Sequence, residues 1–252
     1  MASALVVKGL SKAFDALRAV DGVDLEVQVG HVHSLIGPNG AGKTTAFNCI
    51  SGFLRPDSGK VLLDGKDVTA WLPHRLVAAG LARTFQITKV FGELSVLENV
   101  ALAVRSRSGH NLQMWRSAQS VVAAQSEAHE ILETLELSGH AASSADHLAH
   151  GEKRVLEIAI ALALKPAVLL LDEPTAGMSG GETERIATLI RSIAARASVL
   201  LVEHDMEVVL GISDQVTVMT QGRVIASGTP AEISRDARVQ DAYLGTVDAM
   251  SL

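Results

Sequence analysis

Apolar positions along the chain fall into two periods. Leu5 to Lys8 and Val23 to Val29 alternate apolar with polar, the two-residue period of half-buried strands, and Val61-Leu62-Leu63-Asp64-Gly65 reads as a strand running into a turn. Together they predict a small antiparallel sheet near the N-terminus. Val32 to Ile36 is a short apolar strand that stops at Gly37, and the helix-like run Lys43 to Ser51 follows, giving strand, glycine loop and helix in succession. From about Val90 to His150 the pattern shifts to helices and polar connectors: Glu127 to Leu137 is strongly helical, Ser138-Gly139 is its stop, and Ser106 to Ser120 fits either a loop or a short helix. The Ala/Leu-rich helix Glu152 to Leu164, closed by Lys165-Pro166, leads to the buried strand Val168 to Leu171. Helix (Gly181 to Ala195), strand (Ser198 to Val202), helix (Met206 to Ile212) and strand (Val216 to Met219) then alternate, which implies a mostly parallel sheet with helices on its faces. The expected organisation is an α/β core of residues 1–89 and 155–230, a helical insert at 90–154 and a C-terminal helical tail at 231–252.

With 252 residues, 48% of them apolar, the chain can bury one large α/β core carrying an inserted subdomain. Its 28 acidic and 22 basic side chains give a formal charge of −6 without a dense Lys/Arg run, which disfavours a broad grip on nucleic acid or anionic lipid but leaves room for a local anion site. The single Cys49 cannot form an internal disulfide, and Met1-Ala2-Ser3-Ala4 lacks the charged start and apolar stretch of a secretory signal, so a reducing, cytosolic setting is expected. Ile158 to Leu171, the most apolar region, is interrupted by Lys165-Pro166 and falls short of the roughly 18–20 residues a spanning helix needs, so membrane association has to come through a partner.

Two motifs carry chemistry on their own. Gly37-Pro38-Asn39-Gly40-Ala41-Gly42-Lys43-Thr44 fits the phosphate-loop pattern G-x-x-x-x-G-K-[ST] without adjustment. Its glycines let consecutive backbone N–H groups converge on phosphate oxygens, and the following helix adds its positive dipole end. Lys43 is expected to reach the β and γ phosphates of ATP, Thr44 to take one position on Mg²⁺, and Thr45 to sit beside them as a further nucleotide contact. Val168-Leu169-Leu170-Leu171-Asp172-Glu173 is a buried strand that delivers two acids at its C-terminal edge, where open α/β sheets bind ligands. Asp172 suits Mg²⁺, and Glu173 suits the polarisation of an attacking water.

With those motifs the chain resembles, over nearly its whole length, the nucleotide-binding subunits of ATP-binding cassette transporters. The resemblance implies roles for residues that are silent by themselves. Gln86, in Arg83-Thr84-Phe85-Gln86, looks like the family's glutamine that touches Mg²⁺ and the attacking water and moves with the membrane partner. His204, in Val202-Glu203-His204-Asp205, looks like the switch histidine at the γ phosphate, and Phe14 like the aromatic residue that stacks on adenine. Leu148-Ala149-His150-Gly151-Glu152 stands where the family carries Leu-Ser-Gly-Gly-Gln, the segment that grips the γ phosphate held by an opposite subunit, so Ala149, Gly151 and Glu152 become nucleotide contacts across a dimer. Ala149 lacks the family's hydroxyl, although backbone N–H groups near Gly151 remain for the phosphate. Ser179 replaces the family's usual Asp.

A finer resemblance is to the ATPases of branched-chain (hydrophobic) amino-acid importers. It rests on Gly80-Leu81-Ala82-Arg83-Thr84-Phe85-Gln86, Leu156-Glu157-Ile158-Ala159, Glu173-Pro174-Thr175-Ala176-Gly177-Met178, Val202-Glu203-His204-Asp205-Met206 and the tail Val239-Gln240-Asp241-Ala242-Tyr243-Leu244-Gly245. It implies a P-loop α/β ATPase of the ABC type, cofactors ATP and Mg²⁺, and a second ATPase subunit of the same or a related chain. It further implies transmembrane permease subunits, a solute-binding protein acting indirectly, no nucleic acid, and a place on the inner face of the cell membrane. Three alternatives stay open: a cassette for urea or an amide, a weakly hydrolysing regulatory cassette, and a non-transport cassette. A GTPase is disfavoured because Thr88-Lys89-Val90-Phe91 lacks the acid of the guanine-reading motif.

Overall fold

The structure, a computed structural model, describes residues 2–84, 90–107 and 118–248. Strands β1 (Ser3–Phe14) and β2 (Leu17–Gln28) form an antiparallel hairpin. Alternation along β2 buries Val23, Leu25 and Val27 and leaves Asp24 and Glu26 outside, as the sequence predicts. Next come β3 (Val32–Ile36), the glycine loop and α1 (Lys43–Ile50). Strands β4 (Ser58–Leu63) and β5 (Lys66–Asp67) complete a sheet of order β2-β1-β4-β5, followed by α2 (Pro73–Ala78) and β6 (Leu81–Arg83). Helices α3 (Val96–Arg107), α4 (Ala118–Thr134) and α5 (His150–Ala163) pack on one another. The remaining elements are β7 (Val168–Asp172), α6 (Gly180–Ile193), β8 (Ser198–Val202), α7 (Met206–Ile212), β9 (Gln215–Thr220), β10 (Arg223–Gly228), α8 (Pro230–Ile233) and α9 (Ala237–Asp248).

The second sheet runs β10-β9-β3-β8-β7-β6, parallel throughout except for β10 against β9. Its central strands are buried on both faces, which is why they read as unbroken apolar runs. Leu169 and Leu171 of β7, with Val199 and Leu201 of β8, enter a core shared with α3, α4, α5 and α6. Val168 and Leu170, with Leu200 and Val202, enter a second core built on Phe47 and Ile50 of α1 and on the small sheet.

Several boundaries differ from the sequence reading, each for a local reason. Helix α4 ends at Thr134 instead of Leu137 because Glu136 adopts a left-handed conformation with φ 56°. There the Leu137 N–H donates to the Leu132 carbonyl (2.8 Å) and the Glu136 N–H to the Glu133 carbonyl (3.1 Å), a Schellman closure whose buried Leu132 and Leu137 replace the glycine signal. Helix α5 begins two residues early, at His150, since the Glu152 carboxylate accepts from the Ala149 N–H at 2.9 Å. It crosses residues 154 and 155 without a break. Strand β6 has three residues, too few to show a period, and owes its existence to pairing with β7. Most of Ser106 to Ser120 lies outside the described residues.

One core residue carries a pH dependence. His33 on β3 is 4% exposed, its Nδ1 lies 2.9 Å from the Glu26 carbonyl, and its Nε2 lies 2.8 Å from the Thr217 hydroxyl. The carbonyl only accepts, so Nδ1 carries the proton and Nε2 accepts, and the ring is neutral. Burial pushes its pKa down to about 4 from 6.5. The unfolded chain therefore binds the extra proton first: the contribution is complete above about pH 6.5 and is lost as pH falls toward about 4, amounting to about 3 kcal/mol. In urea titrations, His33→Asn should be less stable than wild type at pH 7.5, with the gap narrowing by about 2–3 kcal/mol at pH 4.5. A gap that does not change with pH would refute the neutral buried ring.

Candidate active site

Because β3, β8 and β7 are parallel neighbours, their C-terminal ends open on one edge of the sheet. Strand β3 feeds the glycine loop there. Gly37 has φ 150°, and a Cβ on it would stand 2.1 Å from the Met219 carbonyl oxygen; Gly42 has φ 97°, and its Cβ would stand 2.2 Å from the Ala19 carbonyl oxygen. Both contacts are backbone and cannot yield, so the close approach of β9 and β2 to the loop demands glycine. Lys43, 8% exposed, donates from Nζ to the carbonyls of Gly37 (2.6 Å) and Pro38 (3.0 Å). Burial pushes its ammonium down, against the opposing pull of Glu173 and Asp172. The Arg83 guanidinium binds both Asn48 of α1 and Asp172, so the helix that follows the loop and the acid-bearing strand are joined at this edge.

Strand β7 ends in Asp172, which is 1% exposed. Burial pushes its carboxyl up although the Arg83 guanidinium, 2.9 Å from Oδ2, draws it down. The neighbouring Glu173 turns the chain at φ 44°, with its N–H donating to Val202 (2.8 Å) and its carbonyl accepting from Arg154 (3.2 Å). Strand β8 presents Glu203 and His204 at the same edge. Glu203 is wholly buried and accepts from the Thr175 N–H (3.0 Å), the Thr175 hydroxyl (2.6 Å) and the His204 N–H (3.0 Å). The His204 ring is more than half exposed, with Nδ1 3.6 Å from Glu203.

The other expected residues among those described come from β1, α1, the start of α5 and the cap of α6. Phe14, 44% exposed, ends β1 in the hairpin whose Ala19 carbonyl covers Gly42, and Lys12 Nζ stands 5.7 Å from its ring centre. Thr44 is exposed and Thr45 half-buried on the first turn of α1. Ala149, Gly151 and Glu152 form the exposed or half-buried start of α5, where a Cβ on Gly151 would stand 3.0 Å from the Glu182 carboxylate. Ser179 stands at the N-terminus of α6, where its N–H (3.0 Å) and its hydroxyl (2.6 Å) both donate to Oε2 of that Glu182. Gln86 lies outside the described residues. Arg83, Arg154, Glu157 and Glu203 were not assigned roles from the sequence. Arg83 reaches Asp172 and Glu203 reaches Thr175 from segments far apart in the chain, while Arg154 and Glu157 pair three positions apart on α5.

The residues fit a metal–nucleotide group. Asp172 Oδ1 is buried with no hydrogen-bond partner among the described residues, and the exposed Thr44 hydroxyl is on the helix next to it in the core. No group of three or more His, Cys, Asp or Glu among the described residues can hold a metal alone.

Comparison with known proteins agrees with this geometry. Residues 20–176 match the family model described as ABC transporter, and residues 223–249 match the model described as branched-chain amino acid ATP-binding cassette transporter. The chain is 40% identical over 248 residues to the high-affinity branched-chain amino acid transport ATP-binding protein BraF of Pseudomonas aeruginosa, covering 96% of this chain and 97% of that protein. Its fold is similar to the ADP conformation of MJ1267, an ATP-binding cassette of an ABC transporter (TM-score 0.85, 31% identity, 97% of this chain and 100% of that one). It is also similar to the dimeric structure of MJ0796, a bacterial ABC transporter cassette (TM-score 0.76, 25% identity, 90% of this chain and 98% of that one). By sequence over nearly its full length and by fold, this chain belongs to the ATP-binding cassettes of ABC transporters.

Proposed function

We propose that the chain hydrolyses ATP in a head-to-tail dimer of cassettes and thereby drives import of branched-chain or related hydrophobic amino acids. The observation that carries the reading is the joining of α1, which follows the glycine loop, to Asp172 through the Arg83 guanidinium, at the edge where β8 also presents His204. Backbone N–H groups of Gly37, Asn39, Gly40, Ala41 and Gly42 cradle the phosphates, with Pro38, which has no N–H, shaping the turn between them; Lys43 neutralises the charge, and Thr44 and Thr45 extend the contact from α1. Asp172, Thr44 and Gln86 would hold Mg²⁺, whose chemistry when bound is to neutralise charge on the β and γ phosphates. Glu173 takes the proton of the attacking water, His204 faces the γ phosphate, and Phe14 stacks on adenine. The segment Ala149, Gly151 and Glu152 of a second copy, or of a related cassette, closes over the γ phosphate.

Supporting a dimer is the exposure of Asn39 and Gly40 at the tip of the loop and of Ala149 and His150 at the start of α5, together with the dimeric cassette among the similar structures. No helix among the described residues is long and apolar enough to cross a membrane. We therefore place the chain on the inner face of the membrane, held by permease subunits served by a solute-binding protein. Their docking site is a groove of about 190 Å³ lined by Phe53, Leu76, Leu81, Ile160 and Leu164, beside Thr84 at the end of β6. The amino-acid assignment rests on the tail match at residues 223–249 and on the BraF likeness.

The test is reconstitution with the membrane subunits in vesicles, with ATP on the cassette side. ATP-dependent uptake of labelled leucine, isoleucine or valine is expected. Hydrolysis coupled instead to urea or amide uptake would move the substrate, and hydrolysis without any uptake would remove the importer. A second reading, a slowly hydrolysing regulatory cassette, is motivated by Ala149 alone. Ala149→Ser restores the hydroxyl, so steady-state phosphate release should stay equal or rise; a large loss would mean that this segment does not meet the phosphate.

A further inference from the structure

Both terminal nitrogens of Arg83 are held by side chains from distant segments, while its buried Nε has no partner among the described residues. Its Nη2 donates to Asp172 Oδ2 at 2.9 Å, and its Nη1 to Asn48 Oδ1 at 2.6 Å and to Ser51 Oγ at 2.7 Å. Its guanidinium carbon stands 4.6 Å from the ring centre of Phe47 and 5.2 Å from that of Phe53, so aromatic rings pack on the fork that the polar groups hold. The side chain is 11% exposed and Asp172 is 1% exposed. Asn48 lies on α1, which also carries Lys43 and Thr44, and Ser51 caps its C-terminal end, while Asp172 closes β7. One planar fork therefore ties the phosphate-loop helix to the acid-bearing strand.

We propose that Arg83 is the positioning residue of the magnesium site. By taking Oδ2 of Asp172 it fixes the carboxylate rotamer and leaves Oδ1, which has no partner among the described residues, for the metal. By holding Asn48 and Ser51 it sets the distance between Thr44 and Asp172, the two protein groups that flank that metal in the reading above, on which this inference rests. Phe53 gives the arrangement a second property. It is 47% exposed and lines the groove assigned to the permease, so whatever packs against its ring also presses on the guanidinium that steers Asp172. A lysine keeps the charge but has no planar fork, and cannot reach the carboxylate, the amide and the hydroxyl together.

The experiment uses the purified full chain and the slowly hydrolysed analogue adenylyl imidodiphosphate, titrated calorimetrically in EDTA and across a Mg²⁺ series. Arg83→Lys should raise the Mg²⁺ concentration needed for half-maximal enhancement of binding about 10–100-fold, while affinity in EDTA stays within about twofold of wild type. Phe53→Ala, which removes the outer ring alone, should shift the same midpoint about two- to fivefold. Equal losses with and without Mg²⁺ would reduce Arg83 to a generic structural residue and overturn the assignment, as would an unchanged midpoint in Arg83→Lys. An unchanged midpoint in Phe53→Ala would overturn the link to the groove. A wild-type chain showing no Mg²⁺ enhancement would sink the reading of the whole site, an outcome distinct from wild type responding and Arg83→Lys responding equally.

Discussion

Replacing Glu173 by Gln should lower steady-state ATP hydrolysis by about 10²–10⁴-fold and leave ATP binding intact. The substitution is isosteric, and the backbone that aims the side chain is untouched: the Glu173 N–H still meets the Val202 carbonyl and its own carbonyl still accepts from Arg154. What disappears is the only group at this position able to take a proton from water. Since ATP both closes the proposed dimer and is consumed in it, the variant should accumulate as an ATP-held dimer. Phosphate release measures the first effect, and size-exclusion chromatography with and without ATP measures the second. Turnover near the wild-type rate would remove Glu173 from the mechanism and point to a base outside β7.

The second large effect comes from the loop's backbone. Gly42→Ala forces a Cβ to 2.2 Å from the Ala19 carbonyl oxygen at φ 97°, so the β1–β2 hairpin must move or the loop must open. Strain and overpacking of this kind cost about 2–4 kcal/mol together, which would weaken nucleotide binding by at least about 30-fold if the loop gives way. Gly40 is the internal control: it too has a positive φ, 78°, but nothing lies within 4 Å of its would-be Cβ. Gly40→Ala should cost about 1 kcal/mol, from conformation alone. Urea denaturation and nucleotide titration of both variants separate the cases, and equal damage from the two would refute the steric account.

The strand, glycine turn and helix around Lys43 are legible in the sequence because they are local: the glycines, Lys43 and Thr44 lie within eight consecutive positions, and strand and helix propensities bracket them. Central strands β3, β7 and β8 were readable too, since burial on both faces writes itself as an unbroken apolar run. Helix α4 stops at Thr134, short of the end its periodicity predicts, because Leu137 has the spacing of one more helical apolar position while the left-handed turn at Glu136 has no glycine to announce it. Roles for His204 and Phe14 came only through family likeness. An exposed histidine and an exposed phenylalanine carry no signal of their own.

Residue order alone determined the phosphate loop, the acid pair and the two-faced burial of the strands that present them, because each follows from the character of neighbouring side chains. Tertiary structure alone decided that β8 stands between β3 and β7, bringing loop, acids and histidine to one edge. It also decided that Glu203 anchors Thr175 and His204, and that Arg83, 89 positions from Asp172, grips that acid. The reason is physical: a lone charged residue is read as solvated until a distant segment removes its water, and chain pairing across the sheet is what removes it.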